Sequence, residues 1–208
     1  MILKYSLLVI FGVLLFSGKI QAQEKIYFGQ AEIGILYGRG ADQWDGTHED
    51  RTDFTLMTFN GVRISKNHVI GFVTGLDLYE EISVIPLALG WRGFLGKDGK
   101  PKLFGGLDVG GGTAILEKKE SNEWSKSWYE GGFLISPSVG VSFPAKSGNT
   151  ALSFSIAYKS QQMSQFNGVL SQFDTQSIAT DLLPPGYSSL TENSYLYRSF
   201  VVRAGLMF

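Results

Sequence analysis

Six charged residues sit where charge is least expected. Glu32, Arg63, Asp77, Arg92, Asp108 and Arg203 each fall inside runs that otherwise alternate bulky apolar residues with small ones. Three are acidic and three basic. Charges enclosed in a narrow space must be paired or hydrated. The set therefore reads either as a salt-bridge plug that gates ions or as a static polar filling. Catalytic chemistry has less to draw on. His48 and His68 are the available bases for a serine–histidine hydrolase. His48 lies in the acidic stretch ADQWDGTHEDRTD (Ala41–Asp53) and His68 in a short turn, so no catalytic residue is assigned and no enzyme is expected. Asp42, Asp45, Glu49, Asp50 and Asp53 offer calcium-type oxygen ligands, but their spacing is not that of an EF-hand, and a solvated loop is the default. The run GGLDVGGG (Gly105–Gly112) is followed by no helical pattern and no Lys-Ser/Thr pair, which excludes a phosphate cradle. Glycines in a strand instead permit bending or close approach. With no cysteine there is neither a disulfide framework nor a thiolate metal site, and no cofactor is expected.

These residues need elements to hold them. The chain has 208 residues and a net charge of −1, which argues against general nucleic-acid binding. Its start reads as a secretory signal: Lys4, the apolar run Ser6–Phe16, then small Ala22 at the cleavage point. That run is too short for a membrane-spanning helix, which needs about 20 residues; an uncleaved anchor is the alternative. The expected organisation is a leader over 1–22 and one domain over 23–208, and loss of Lys4 and Lys19 would take the net charge to −3.

Period-two alternation dominates the remainder. It marks eight segments: Tyr27–Arg39, Asp53–Ile64, Val69–Tyr79, Ile82–Leu95, Lys102–Ile115, Gly132–Phe143, Ala151–Lys159 and Tyr195–Phe208. Most approach the 9–11 residues that a tilted strand needs to cross a bilayer. The connections at Ser65–His68, Gly96–Pro101 and Pro144–Thr150 are short, whereas Gly40–Thr52, Leu116–Gly131 and Ser160–Ser194 are long, with Glu80–Glu81 the short exception on that side. Asn60-Gly61 is a hairpin cue inside the second segment, overruled here because the alternation runs through it.

The sign of the alternation decides what the strands face. Phe133, Ile135, Pro137, Val139, Val141 and Phe143 share one face of the sixth segment, against Leu134, Ser136, Ser138, Gly140 and Ser142. The fourth and seventh segments repeat the contrast. A soluble barrel buries its bulky face, whereas a membrane barrel turns it to lipid around a polar lumen. Small and charged residues suit the narrow interior of an eight-stranded barrel. The expected fold is all-β, an eight-stranded antiparallel up-and-down transmembrane barrel, with a soluble secreted barrel as the competitor. The last segment places Phe200, Val202, Ala204, Leu206 and Phe208 on the lipid face and Arg203 inside. Phe28, Trp91, Phe94, Phe143 and Phe208 are expected in one interfacial aromatic girdle, and Tyr37, Phe54, Tyr79, Trp128, Tyr158 and Tyr195 in the other.

The stretches NGVRISKNHVIGFVTGLDLYEEISVIPLALGWRGFL, KPKLFGGLDVGGG and GGFLISPSVGVSF resemble the small outer-membrane β-barrels of Gram-negative bacteria, the OmpX/OmpA-like eight-stranded group. The run Phe200–Phe208 is similar to the C-terminal signal that the outer-membrane assembly machinery reads in that group. The resemblance is diffuse and spans most of 27–208. It implies a location in the bacterial outer membrane, both termini in the periplasm, and contact with outer-membrane lipid, lipopolysaccharide and that machinery. It leaves a structural or surface-interaction role, expected of a monomer, beside a small porin-like pore; a lipid A-modifying enzyme is more distant. No cell-wall-binding domain follows the last segment, so no tether is expected. The long stretch Ser160–Ser194 carries Phe166, Phe173, Leu182, Leu183 and Tyr187. It either presents a binding surface, folds over the barrel mouth or prolongs the strands.

Overall fold

A computed structural model describes residues 26–42, 48–80, 82–115, 121–146, 150–171 and 186–208. The stretch read as a leader, residues 1–22, lies outside them. Eight strands follow in chain order: β1 Tyr27–Asp42, β2 His48–Arg63, β3 His68–Leu78, β4 Ser83–Leu95, β5 Lys102–Ile115, β6 Ser125–Pro144, β7 Ala151–Leu170 and β8 Tyr187–Met207. Each pairs antiparallel with its neighbours, and β1 pairs with β8, so the sheet closes into a barrel. Backbone bonds in both directions between Gly29 and Phe208 complete the seam beside the last residue, at 2.8 and 2.9 Å. β2 runs unbroken through Asn60-Gly61, because Asn60 pairs with Gly29 on one side and Phe72 on the other.

Register tilts the strands. Pairing leads from Phe28 to Gly61, Gly71, Gly90, Asp108 and Ser136. From β7 it re-enters β1 through Ser199, at Gly38 rather than Phe28. Such a stagger is what closing an eight-stranded barrel requires. One turn is chemically explicit: Ser65 Oγ accepts from the backbone N–H of His68 at 3.1 Å and holds the β2–β3 connection. Gly99, with φ of +70°, supplies the left-handed residue in the β4–β5 turn. These connections and both ends of the ring of strands lie at one end, the turn end.

At the opposite, hairpin end, five strands outgrow the sequence reading: β1 reaches Asp42 instead of Arg39 and β2 begins at His48 instead of Asp53. β6 begins at Ser125 instead of Gly132, β7 continues to Leu170 instead of Lys159, and β8 starts at Tyr187 instead of Tyr195. Much of Leu116–Gly131 and Ser160–Ser194 is therefore sheet. Alternation is enforced only where one strand face meets lipid. The inward face of β7 stays buried through Met163; beyond it both faces are largely wet, and SQFNGVL (164–170) pairs without displaying the pattern. Aromatic contacts staple the extension: Trp128 stacks on Phe166 with centroids 5.3 Å apart and lies 5.9 Å from Tyr187.

The outer surface carries a continuous apolar belt, including Phe72, Leu89, Val139, Ile156, Phe200 and Val202, each well exposed. The girdles need correction. Trp91, Phe143 and Phe208 face outward as expected, but Phe28, Phe94 and Tyr79 are buried inside. Each was placed by its closeness to a segment end, and parity along the strand overrides that: Phe28 and Phe94 share the inward face with Gln30 and Arg92. If the belt spans a bilayer, Leu89→Arg, at mid-height, should lower unfolding stability in phospholipid vesicles by about 2–4 kcal/mol, and Leu95→Arg, at the turn-end rim, by only about 0–1 kcal/mol. Equal effects would mean that the belt is not graded by depth.

Candidate functional site: a neutral ionic belt inside the barrel

The interior is layered. Toward the turn end, Phe28, Phe94 and Phe104 pack together with Val69 and Met207. Phe28 meets Phe94 edge-on at 5.6 Å, and Phe94 lies 5.9 Å from Phe104. Toward the hairpin end, Leu36, Tyr79, Ile82, Val84 and Met163 form a second apolar cluster. Between and beside these clusters run the charges. Large inward residues on β2 and β3, notably Met57, Phe59 and Val73, line one wall of this middle zone. A lumen of small polar groups alone does not describe it.

Three buried ion pairs make up the belt. Arg92 on β4 meets Asp108 on β5 through two bonds, Nη1–Oδ1 at 2.5 Å and Nη2–Oδ2 at 3.2 Å. Its Nε donates to Gln30 Oε1 at 3.2 Å, and its guanidinium lies 4.6 Å over the Phe59 ring. Arg203 on β8 reaches Glu32 on β1 at 3.4 Å and donates to Ser136 at 3.3 Å, while Ser155 donates to Glu32 at 2.9 Å. Lys159 on β7 pairs across the lumen with Asp77 on β3, which also accepts from Thr55 Oγ1 at 2.7 Å. All six charged side chains are nearly inaccessible. Three positive and three negative groups leave the belt neutral. In a lumen this narrow an uncompensated charge would carry the full desolvation cost.

Of the residues singled out in the sequence, Glu32 and Arg203 touch, Arg92 and Asp108 touch, and Asp77 is paired with a residue outside that set. Arg63 shares the inward parity but stands exposed at the turn-end mouth, 5.1 Å over Phe28. Lys159 takes the third cationic place in the belt. It lies on the polar face of its segment, between Ala157 and Gln161 on the inward side. The visible clue was that parity. It was obscured because the alternation fades just after Lys159, which made it look like a strand terminus.

Glycines clear the space that the belt fills. A Cβ on Gly106 would come within 3.0 Å of the Arg92 side chain, and one on Gly90 within 2.8 Å of Asp108 Oδ1. The GGLDVGGG run thus includes the clearance for an arginine. Above the belt, Arg51 lies 3.1 Å from Asp53, donates to Ser199 Oγ at 2.8 Å, and sits over the rings of Tyr79 and Tyr197 at 4.7 and 4.5 Å. Sequence reading missed this group, since Arg51 and Asp53 fell in or beside a stretch read as loop. Of the acids considered as calcium ligands, Asp45 and the side chains of Asp42 and Glu49 lie outside the described residues, as does the side chain of His48, and Asp50 is exposed. His68 stacks on Trp91 at 5.7 Å on the outer wall near the turn end.

An apolar belt outside, paired charges inside and a closed antiparallel ring of eight strands define a transmembrane β-barrel. Comparison with solved structures agrees on the fold. The chain is similar to Neisserial surface protein A (NspA), at 13% identity over 87% of this chain and 95% of that one, with a TM-score of 0.51. It is also similar to the outer membrane protein OprG from Pseudomonas aeruginosa, at 12% identity over 87% and 93%, with a TM-score of 0.56. No protein-family model and no curated protein sequence matches the chain.

Removing one member of a buried pair strands the other. Arg92→Met should lower stability by about 3–5 kcal/mol, read as a shift in the urea midpoint of the detergent-solubilised protein. Adding Asp108→Leu should recover much of that loss. A double variant as unstable as the sum of its singles would show that the pair is not energetically coupled.

Proposed function

We propose that this protein is a closed, non-enzymatic barrel of the bacterial outer membrane that holds a rigid sheet extension beyond the bilayer for surface interaction. The observation that carries this reading is the layered interior: three buried, mutually neutralised ion pairs bracketed by two apolar clusters. Ions crossing such a lumen would meet greasy constrictions at both ends and fixed charges already committed to one another. The sheet extension at the hairpin end is the part built to meet other molecules. It rises on β6, β7 and β8 and displays Trp124, Tyr195 and Leu196.

The orientation belongs to the same proposal. Short turns face the periplasm in barrels of this type and long connections face outward, which would put the turn end and both termini in the periplasm. In that setting Phe200, Val202, Leu206 and Phe208, all exposed, would serve as the strand read by the assembly machinery, and Ala204 shares their face. Outer-membrane lipid and lipopolysaccharide would surround the apolar belt, and the working unit would be a monomer, since β1 and β8 already satisfy one another. A hydrolytic role is not part of this reading; His68, one of the two histidines, is stacked on Trp91 near the turn end.

A narrow pore is the second reading, and one observation favours it. Gln30 Nε2, Ser153 Oγ and Arg203 Nε are buried in the lumen without a hydrogen-bond partner. Such groups are ones that a thread of water would satisfy. Planar-bilayer recording separates the two. The closed barrel should give no unitary current above background, with or without Arg203→Ala. Steady ion-sized steps from the unmodified protein would overturn the closed reading in favour of the pore.

A further inference from the structure

The turn end is strongly cationic. Arg63, Lys66, Lys97, Lys100, Lys102 and Lys146 stand there against a single acidic side chain, Asp98, among the described residues. Four of these cations, Arg63, Lys66, Lys100 and Lys102, line one cavity of ≈ 350 Å³. They come from the end of β2, the β2–β3 turn, the β4–β5 turn and the start of β5, so the charges converge over the mouth instead of spreading around the rim. The inner wall of the cavity is different in kind. It includes Phe28, Phe94 and Met207, which belong to the apolar cluster closing the lumen. The result is a blind cup with a cationic lip and an apolar floor. Arg63 marks the border between them, with its guanidinium over the Phe28 ring.

The lip is under-neutralised. Lys102 holds Asp98 at 2.5 Å, and no other ion pair involving these four cations is formed among the described residues. Asp98 is fully exposed, yet its carboxyl is held below its ordinary range, first by the hydrogen bond from Lys102 and then by the charges of Lys102, Lys66 and Arg63. One exposed carboxylate therefore already feels three of the four cations. Like charges gathered over a low-dielectric floor repel one another and focus a positive potential on the cup. An anion placed among them relieves that repulsion, and an apolar group attached to it would displace water from the aromatic floor.

We propose that this cup binds a small organic anion from the periplasm, one that joins a phosphate or carboxylate to a compact apolar group. The anionic head lies among Arg63, Lys66, Lys100 and Lys102, and the apolar part rests on Phe28, Phe94 and Met207. At about 30 Å³ per water-sized group, the cavity takes about a dozen non-hydrogen atoms. That size admits an aryl or short alkyl phosphate and is too small for the two chains of a phospholipid. The inference goes beyond the closed-barrel reading and rests on it only for the orientation that turns this end to the periplasm. Binding itself needs only the apolar floor and the lip, so a conducting lumen and an empty cup are separately detectable failures.

Phenyl phosphate is the probe, since it is water-soluble and of the right size. Calorimetric titration into the full chain in nanodiscs of zwitterionic lipid should show saturable one-site binding that weakens with added salt. Inorganic phosphate, which has the charge without the ring, should bind about tenfold more weakly. Lys66→Glu/Lys100→Glu, both in exposed turns, should weaken phenyl phosphate about tenfold or more, while the heat-dependent gel shift of the folded barrel is retained. Should that pair fail to fold, Lys100→Ala alone, with a weakening of several-fold expected, makes the same comparison. Absence of saturable binding, equal affinity in the variant, or equal affinity for inorganic phosphate would each overturn the proposal. Loss of phenyl phosphate binding on moving to nanodiscs rich in phosphatidylglycerol would assign the lip to lipid headgroups and overturn the soluble ligand.

Discussion

Everything in this molecule depends on the β1–β8 seam. A bilayer offers its spanning backbone no water, so each N–H and C=O must find a partner in the sheet. A row of eight strands satisfies its middle members and leaves two bare edges. Pairing Gln30–Gly38 with Ser199–Met207 removes both edges at once. Closure then dictates the rest. The outside of the ring must suit lipid along its full circumference, and the inside becomes a tube that only side chains can fill. The same side-chain alternation that would make a soluble sheet amphipathic here acquires the opposite sign.

A tube of this width cannot hold arbitrary contents. Filled with large apolar groups throughout, it would lack room for eight strands' worth of side chains at ordinary packing density. Filled with charge, it would suffer desolvation without relief. The observed compromise uses aromatic residues near the ends and charges in the middle, with glycines opposite the longest side chains. Gly34 illustrates the trade: a Cβ there would meet the Val202 carbonyl oxygen at 2.4 Å and Arg203 Cγ at 2.8 Å. The richness in glycine is therefore less a matter of turns than of wall thickness. Arg203 can lie flat against β1 because β1 offers no side chain at that point.

How legible this was in the sequence varied with what each region must satisfy. Lys102–Ile115 emerged with its boundaries intact because both of its ends are set by strong signals, Pro101 on one side and the end of the alternating run on the other. The closing strand was readable for a related reason: Phe200, Val202, Leu206 and Phe208 face outward, and shifting them by one residue would drive Arg203 into lipid. The sheet extension was not readable, since polar residues paired above a membrane obey no two-fold rule. Pairings in the lumen were only half readable. Parity tells which residues point inward, but the partner across the tube depends on the stagger, which no single strand displays. Glu32 and Arg203 were recoverable because they sit on adjacent strands. Asp77 and Lys159 were not, because they meet across the lumen from β3 and β7.

The two ends of the barrel pose different physical problems, and the charges follow. Around the hairpin end Asp50, Asp53, Glu80, Glu123, Glu130 and Glu192 outnumber Arg39, Arg51, Lys126 and Arg198 among the described residues, whereas the turn end is almost wholly cationic. Neither end can be neutralised by the belt between them, which is already balanced internally. The described residues thus carry a charge separation along the barrel axis. A barrel built only to fill a membrane would have no need of it, since scattered charges of both signs keep a rim soluble equally well. Structures alike in fold at 12–13% identity share the closed ring, and the ring alone does not determine what its rims carry. In this chain the unbalanced charge is carried by those rims: the polar sheet at one end and the cationic cup at the other.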